Sequence, residues 1–170
     1  ALNGIKMGKQ VIIIIEKITE LYQVIRMSKE VGVRPMVGLR AKLHTRGSGK
    51  WESSGGDSAK FGLTTPEVLH AVNVLKSENM QDCAKLVHFH IGSQITDIRT
   101  IKDAVKEGAR IYAKLHKMGV GVEYLDVGGG LGVDYDGSRT ASNSSVNYTI
   151  QEYCADVISS AQEVCATEEV

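Results

Sequence analysis

The stretch LDVGGGLGVDYDG, residues 125–137, passes from an apolar, strand-like run into three consecutive glycines and then into a polar tail. Because glycine has no side chain, a glycine cluster lets backbone N–H groups approach a ligand closely and adopt positive φ angles. Such a cluster behind a strand predicts an anion cradle, with phosphate as the usual guest; the alternative is a flexible turn. The apolar run 122–127 favours the cradle, because ligands of α/β folds bind at the carboxyl ends of strands.

Neither of two familiar phosphate motifs explains these glycines. Gly128, Gly130 and Val133 do not complete the dinucleotide pattern G-x-G-x-x-G. Gly49 and Lys50 lack both the upstream glycine and the following Ser or Thr of a P-loop. The sequence therefore predicts a cradle outside both nucleotide-binding signatures.

Apolar, strand-like runs alternate with segments of helical periodicity along the chain. The predicted strands are residues 10–15, 35–42, 85–91 and 122–127. Four helices are predicted. The first begins at Lys17 and ends at Gly32, and the second begins at the N-cap Thr65 before Pro66. The third begins at Asp97 and ends at Gly119, and the fourth begins at the capping box of Thr149 and Glu152. The last helix is predicted to run through Val157, Ala161 and Cys165. The polar stretch 43–60 is predicted to be a functional or mobile loop.

Four strand–helix units in alternation indicate an α/β protein with a parallel sheet. The sheet is either doubly wound or part of a TIM-type (β/α)8 barrel, of which four consecutive units are about half. Half a barrel has open strand edges, so we expect a further part of the barrel or a partner to cover them.

Charge and composition exclude several functional classes. The 170 residues include 20 Lys and Arg and 20 Asp and Glu, so no net field attracts nucleic acid or an anionic membrane. The longest apolar run, residues 11–15, is too short to span a bilayer, and no signal peptide opens the sequence. Cys83, Cys154 and Cys165 form no disulfide framework, which fits a reducing compartment. We expect a cytoplasmic protein.

The stretch HFHIGS, residues 88–93, also stands out. Strand alternation puts His88 and His90 on one face and Phe89 on the other, with Ser93 just past the strand end. A zinc site would require a third ligand, and His44, His70 and His116 are the remaining histidines. Alternatively, both histidines are hydrogen-bonded inside a polar barrel lining. In a third interpretation, His90 and Ser93 face the same ligand as the glycine triplet.

Longer stretches resemble a known family. HFHIGSQ (88–94) and LDVGGGLGVDYDG (125–137), with the spacing between them, resemble the fold-type III pyridoxal-phosphate-dependent decarboxylases of basic amino acids. VGLRAKL (37–43), SGKWESSGG (48–56), SAKFGLTT (58–65) and SVNYTIQEY (145–153) are similar to the arginine decarboxylases of that family. The resemblance covers the chain from about Gln10 onward. It implies a (β/α)8 barrel that converts L-arginine to agmatine and CO2 in polyamine biosynthesis, towards putrescine and spermidine.

The resemblance also implies roles for individual residues. His90 would stack on the pyridine ring of pyridoxal phosphate, Ser93 would hydrogen-bond the cofactor, and Arg40 would add positive charge near it. The backbone N–H groups of three consecutive residues would hold the phosphate: Gly128, Gly129 and Gly130. Lys60 matches a family position as well, with a solvated or salt-bridged role as the alternative.

Substrate and assembly follow from the same resemblance. Asp134 and Tyr135 lie where the family binds its substrate, and an acidic group suits a guanidinium; the alternative for Asp134 is a solvated loop acid. The family further implies Mg²⁺ dependence and a homo-oligomer, at least a dimer, while the residues themselves indicate no metal site.

The departures from the family pattern are equally informative. No lysine here has the context of the family's Schiff-base lysine, since Lys9 and Lys42 lie in different motifs. We therefore expect residues 1–170 to be a partial pyridoxal-phosphate-binding barrel domain. The Schiff-base-lysine strand, the remaining barrel and a C-terminal β-domain would lie outside it, and the segment alone would be inactive. Two alternatives remain: a non-catalytic barrel fragment that binds phosphate or a partner, and a related ornithine, lysine or diaminopimelate decarboxylase.

Overall fold

The computed structural model describes residues 1–45 and 60–170. Within these ranges helices and strands alternate after a short N-terminal helix. In chain order they are α1 (Leu2–Lys6), β1 (Ile12–Ile15), α2 (Ile18–Val31), β2 (Met36–Arg40), α3 (Thr65–Ser77), β3 (Ala84–His90), α4 (Ile98–Lys117), β4 (Tyr124–Gly128) and α5 (Ile150–Glu168), with a 3-10 turn at Gln81–Cys83 before β3.

The strands form one parallel sheet in the order β1-β2-β3-β4, so each strand pairs with its neighbours in the sequence. A doubly wound sheet reverses its strand order, whereas a (β/α)8 barrel does not. The observed order therefore excludes the doubly wound alternative among the described strands and confirms the prediction of consecutive barrel units. Right-handed crossovers between adjacent parallel strands place the connecting helices on one face of such a sheet.

The two faces of the sheet differ in chemistry. The outer face is apolar and lies under the helices: Phe89 is fully buried, and a Cβ on Gly108 of α4 would lie 2.3 Å from its ring. On the inner face, a Cβ on Gly38 would lie 2.5 Å from Ile14 and 2.9 Å from Leu86, so glycine makes room for both side chains. Past this apolar layer, towards the carboxyl ends of the strands, the inner face becomes polar.

The apolar core lies between the sheet and the helices in two clusters. One cluster packs the outer faces of β1, β2 and β3 against α2, α3 and Leu115 of α4. The other packs the ends of β3 and β4 against α4, α5 and Tyr148. Ile111 and Leu125 contact both clusters and join them into one body.

The local signals at helix ends were largely sufficient to place the helices. Gly32 ends α2 at a φ of 73°, and Thr149 caps α5 by accepting a hydrogen bond from the Glu152 N–H. The predicted N-cap Thr65 is wrong by one residue: Thr64 forms the capping box with Glu67, which leaves Pro66 in the first turn. The helix α1 was not predicted, because five residues carry too little periodicity to be recognised.

The predicted boundaries needed small corrections elsewhere. All four predicted strands exist, but β1 begins at Ile12, β2 ends at Arg40 and β4 begins at Tyr124. The helix α5 contains the predicted Val157, Ala161 and Cys165, of which Val157 and Ala161 pack against the second cluster, while Ser160 and Val164 are its buried residues. In the predicted loop 43–60, residues 46–59 lie outside the described residues, as does the resembling stretch 48–56.

A row of ion pairs connects α4 to α5. Lys102 contacts Asp156 at 3.0 Å, and Lys106 contacts Glu163 at 2.8 Å. Glu168 at the end of α5 contacts two lysines of α4, Lys114 at 2.9 Å and Lys117 at 2.8 Å. No helix in the two described ranges is both long and apolar enough to cross a membrane.

Candidate functional site

The loops that follow β3 and β4 run side by side at the carboxyl edge of the sheet. Gly130 N–H donates to Gly92 O at 2.7 Å, and Ile95 N–H donates to Gly130 O at 3.2 Å. His90 and Gly128 are register partners at the ends of the two strands. The structure thus brings together three groups that lie far apart in sequence: His90, Ser93 and the glycine triplet.

The glycine triplet is where the two loops come closest. A Cβ on Gly128 would lie 2.4 Å from Phe89 O, and a Cβ on Gly130 would lie 2.9 Å from Ser93 Cα. Gly129 has a φ of 140°, and its Cβ would lie 2.8 Å from Ile91 Cγ1. These three positions therefore require glycine for the contact between the loops, before any ligand is considered.

The backbone N–H groups of this segment are not equally available. That of Gly130 is already used by Gly92 O, and that of Gly132 donates to the Tyr148 hydroxyl at 2.9 Å. Within residues 1–45 and 60–170, the N–H groups of Gly129 and Leu131 have no acceptor. Gly129 and Leu131, which are both exposed, therefore offer the donors that an anion could use in this conformation.

His90 lies at the exposed end of β3 with one ring nitrogen fixed. Gly92 N–H donates to His90 Nδ1 at 3.2 Å, which requires an unprotonated Nδ1 and so a neutral ring with the proton on Nε2. Partial burial, with smaller contributions from Arg40 and His88, lowers the pKa of His90 below its ordinary value. The site therefore presents a flat, neutral imidazole beside the glycine segment.

Arg40 is bound within the protein. It forms an ion pair with Glu16 just past β1, and its guanidinium carbon lies 5.6 Å from the centre of the Phe61 ring. Lys60 lies over the same ring at 5.9 Å. Arg40 is near enough to lower the pKa of His90, so its charge reaches the site even though its head group already has a partner.

The remaining histidines do not assemble a metal site. His70 hydrogen-bonds with Tyr22 at 2.9 Å, and His116 stacks on Tyr112 with ring centres 6.4 Å apart. The part of the chain that the structure describes contains no group of three or more His, Cys, Asp or Glu side chains that could hold a metal ion.

Two side chains that were not predicted to have a role, Gln94 and Tyr148, hold the segment after the glycines. The Gln94 amide donates to Val133 O at 2.8 Å and accepts from Val133 N–H at 3.0 Å. The Tyr148 hydroxyl accepts from Gly132 and donates to Ile95 O at 2.6 Å. Gln94 also has a φ of 51°, a conformation that only a few per cent of non-glycine residues adopt. Tyr148 lies in the resembling stretch 145–153, but its contacts depend on tertiary structure.

Asp134 and Tyr135, the predicted substrate residues, lie in the loop after β4. Asp134 Oδ1 accepts from Gly137 N–H at 2.9 Å and from Ser145 Oγ at 2.6 Å, so this carboxylate orders its own loop. Tyr135 is 75% exposed. An open groove of about 400 Å³ adjoins Asp134 and is lined mainly by polar side chains, among them Arg139 and Glu152.

Comparisons with known proteins identify a family and relatives of this chain. Residues 2–170 match the family model described as pyridoxal-dependent decarboxylase, pyridoxal binding domain. The chain is 56% identical over 170 residues to the biosynthetic arginine decarboxylase of Deinococcus radiodurans, covering 100% of this chain and 26% of that protein. It is 56% identical over 160 residues to the enzyme of the same name from Phocaeicola vulgatus, covering 94% of this chain and 25% of that protein.

Solved structures give the same fold. The biosynthetic arginine decarboxylase from Campylobacter jejuni superposes with a TM-score of 0.81 at 34% identity, over 96% of this chain and 26% of that one. A Helicobacter pylori diaminopimelate decarboxylase superposes with a TM-score of 0.76 at 24% identity, over 95% of this chain and 39% of that one, which shows the fold alone. The chain spans about a quarter of the length of the curated relatives it matches. From the fold, the paired loops and these matches, the chain belongs to the pyridoxal-dependent decarboxylases, as their pyridoxal binding domain.

Proposed function

We propose that this chain holds pyridoxal phosphate in the decarboxylation of L-arginine to agmatine and CO2, a step of polyamine biosynthesis. The observation that carries the proposal is the pairing of the β3 and β4 loops, which sets His90 and Ser93 beside N–H groups of the glycine segment that have no acceptor among the described residues. The names of the relatives at 56% identity support arginine as the substrate.

The residues present fit a phosphorylated, flat cofactor. Gly129 and Leu131 have unclaimed N–H groups for the phosphate among the described residues, while Gly128 and Gly130 keep the loop close to β3. Ser93 is exposed beside Gly130 and can add a hydroxyl. His90 supplies a neutral ring surface for stacking, and Arg40 supplies a fixed positive charge.

The chemistry divides between the cofactor and the protein. Bound pyridoxal phosphate supplies an electron sink for the electron pair left when the α-carboxylate departs as CO2. The chain's own residues anchor and orient the cofactor. The loop N–H groups hold its phosphate, and His90 stacks on its pyridine ring and so fixes the plane of that ring. Asp134 and Tyr135 are proposed to contact the substrate from the loop after β4, where Asp134 would attract the guanidinium.

Three further parts of the proposal concern the domain, the cellular compartment and the assembly of the protein. We propose that residues 1–170 form about half of a pyridoxal-phosphate-binding barrel, that the protein works in the cytoplasm, and that it assembles as a homo-oligomer. Mg²⁺ dependence follows only from the family resemblance. No step is assigned to Mg²⁺, because the described ranges hold no cluster of ligands for it.

The test is an absorbance titration of the full chain with pyridoxal phosphate. It is followed by borohydride reduction with intact mass, and by CO2 release from arginine compared with ornithine, lysine and diaminopimelate. We expect saturable binding and, where turnover occurs, a preference for arginine. Binding without CO2 release from any of the four would leave a non-catalytic barrel fragment, and a preference for another amino acid would identify a related decarboxylase.

Two matched glycine substitutions locate the binding site. Gly129→Val and Gly119→Val both place a branched side chain at a positive φ, 140° and 76°, and so both strain the backbone; at residue 129 the side chain also meets Ile91 Cγ1. Gly119 follows α4 before β4, at the opposite end of the sheet, and has open space around it. Of the two variants, we expect only Gly129→Val to weaken cofactor binding. Equal affinity in both variants would refute the phosphate assignment.

A further inference from the structure

A row of polar side chains crosses the inner face of the sheet just below the site. Arg40, His88 and Asp126 are register partners on β2, β3 and β4, and Glu16 follows β1 at the same level. The row contains two acid–base contacts: Arg40 with Glu16, and His88 with Asp126. The second of these involves a residue that the proposed function leaves unexplained, His88.

His88 is partly buried, and its Nδ1 atom is buried without a hydrogen-bond partner among the described residues. Its side chain is 17% exposed, and its Nδ1 lies 2.9 Å from Asp126 Oδ2 in a direction outside hydrogen-bond geometry. Within the described parts of the chain, Nδ1 has no other partner. A buried polar nitrogen left without a hydrogen bond is unfavourable by about 1–3 kcal/mol, and the Asp126 carboxylate is the acceptor within reach.

The same ring fills the space in front of the first glycine of the triplet. A Cβ on Gly128 would lie 2.6 Å from His88 Cε1 and 3.3 Å from His88 Nε2. The Cε1–Nε2 edge of the ring therefore occupies the place that a side chain at residue 128 would take. His88 and Gly128 fit each other, and the position of the ring limits where the backbone at Gly128 can lie.

We propose that His88 is a positioning residue for the glycine segment and that Asp126 holds it in place. Asp126 accepts a hydrogen bond from Nδ1–H, which fixes the tautomer and the ring orientation, and the ring then supports Gly128 where the proposed phosphate site begins. This inference rests on the proposed function, because the segment being positioned is the proposed cofactor site.

The first readout is the tautomer of His88 in the cofactor-free full chain, measured from the ¹⁵N chemical shifts of its ring. We expect Nδ1–H in the natural sequence and in Asp126→Asn, whose amide oxygen still accepts a hydrogen bond. In Asp126→Leu the acceptor is gone, and we expect the proton to move to Nε2. An Nε2–H tautomer in the natural sequence would overturn the proposal.

The second readout is the dissociation constant for pyridoxal phosphate. We expect His88→Phe and Asp126→Leu to weaken binding about tenfold, the size of one lost hydrogen bond. Asp126→Asn should stay within about threefold of the natural sequence, as a rescue by the conservative variant. Asp82→Leu is the control for the loss of an acidic side chain from an ion pair. Asp82 pairs with Arg34 at the surface and precedes β3 in the chain.

The outcomes separate this inference from the proposed function. If the natural sequence binds no pyridoxal phosphate, the proposed function fails and this inference fails with it. If the natural sequence binds the cofactor and His88→Phe and Asp126→Leu bind it equally well, only the positioning role is overturned. A loss in Asp82→Leu as large as in Asp126→Leu would also overturn it, because the effect would then be one of general stability.

Discussion

The glycines at the end of β4 and just after it serve the protein's own packing. At Gly128 a side chain would collide with Phe89 O of β3, and at Gly130 with Ser93 Cα of the loop after β3; these backbone atoms cannot move aside without a large cost. The sequence predicted a glycine cradle, and its residues do line the carboxyl edge of the sheet. The role of each N–H group could not be predicted, because the acceptor of the Gly130 N–H lies 38 residues away, at Gly92.

The histidines of β3 show what a local pattern can establish. Period-two alternation predicted that His88 and His90 share a face opposite Phe89, and burial confirms it, since Phe89 is fully buried and His90 is exposed. The difference between the two imidazoles could not be foreseen, since it depends on Gly92 for one ring and on Asp126 and Gly128 for the other.

The protonation of His90 gives a prediction at this scale. Partial burial and the charge of Arg40 lower its pKa, so its ring should titrate below the ordinary value of 6.5. Between the two values the unfolded chain binds more protons than the folded one. The stability due to neutral His90 is therefore present above about pH 6.5 and is lost as pH falls towards the folded pKa.

The measurement is a pH titration of ring ¹³C and ¹⁵N shifts by NMR. His116, on the surface of α4, serves as an internal comparison within the same spectra. A His90 midpoint at or above 6.5 would contradict the assigned environment.

At the scale of elements, the β3 and β4 loops are joined by side chains as well as by backbone. Gln94 holds Val133 with two hydrogen bonds, and Tyr148 bridges Gly132 to Ile95 from the segment before α5. The positive φ of Gln94 is a strained conformation that the paired amide stabilises. Together these contacts fix the segment that follows the proposed phosphate donors.

Removing the Tyr148 hydroxyl should loosen this junction. In Tyr148→Phe, the Gly132 N–H and Ile95 O lose their partner, and we expect the free energy of unfolding to fall by about 1–2 kcal/mol. The Gly132 amide should exchange with solvent faster, as measured by hydrogen–deuterium exchange. Tyr153→Phe is the matched control, because the Tyr153 hydroxyl has no hydrogen-bond partner among the residues described. Equal exchange at Gly132 in both variants would show that the hydroxyl does not hold the loop.

Element boundaries were predictable where the signal is local and failed where it is not. The capping box of Thr149 and Glu152 and the stop at Gly32 depend on residues within a few positions of one another. Burial along α5 could not be predicted in full, since Ser160 and Val164 are buried while Val157 and Ala161 are only partly buried against the second cluster. This difference depends on how α5 packs on its neighbours, which periodicity alone does not give.

At the scale of the whole molecule, the α4–α5 ion pairs hold the last helix to the rest of the fold. Hydrogen bonds and charge from Lys117 and Lys114 lower the pKa of Glu168 to about 2. Because the folded pKa of Glu168 lies below the ordinary value of 4.5, the stability from its contacts with the two lysines is present above about pH 4.5 and is lost as pH falls towards 2.

Glu168→Gln should therefore reduce the pH dependence of stability between about pH 4.5 and 2. The measurement is the urea midpoint of unfolding at a series of pH values in this range, by circular dichroism. Glu169→Gln is the matched control, because it removes the same charge one residue later, where no lysine pairs with the carboxylate in the described structure. A Glu168→Gln curve that parallels the natural one would refute the assigned role of the two lysines.

The strand order β1-β2-β3-β4 has a consequence for how the protein is made. Every strand pairs with the strand that precedes it in the chain, so no strand must wait for a partner that has yet to be synthesised. As the chain leaves the ribosome, each new strand and helix can dock on the edge already formed, and that edge then moves forward by one unit. Only the leading edge moves during this growth, whereas the outer edge of the isoleucine-rich β1 stays unpaired until another strand or a partner covers it.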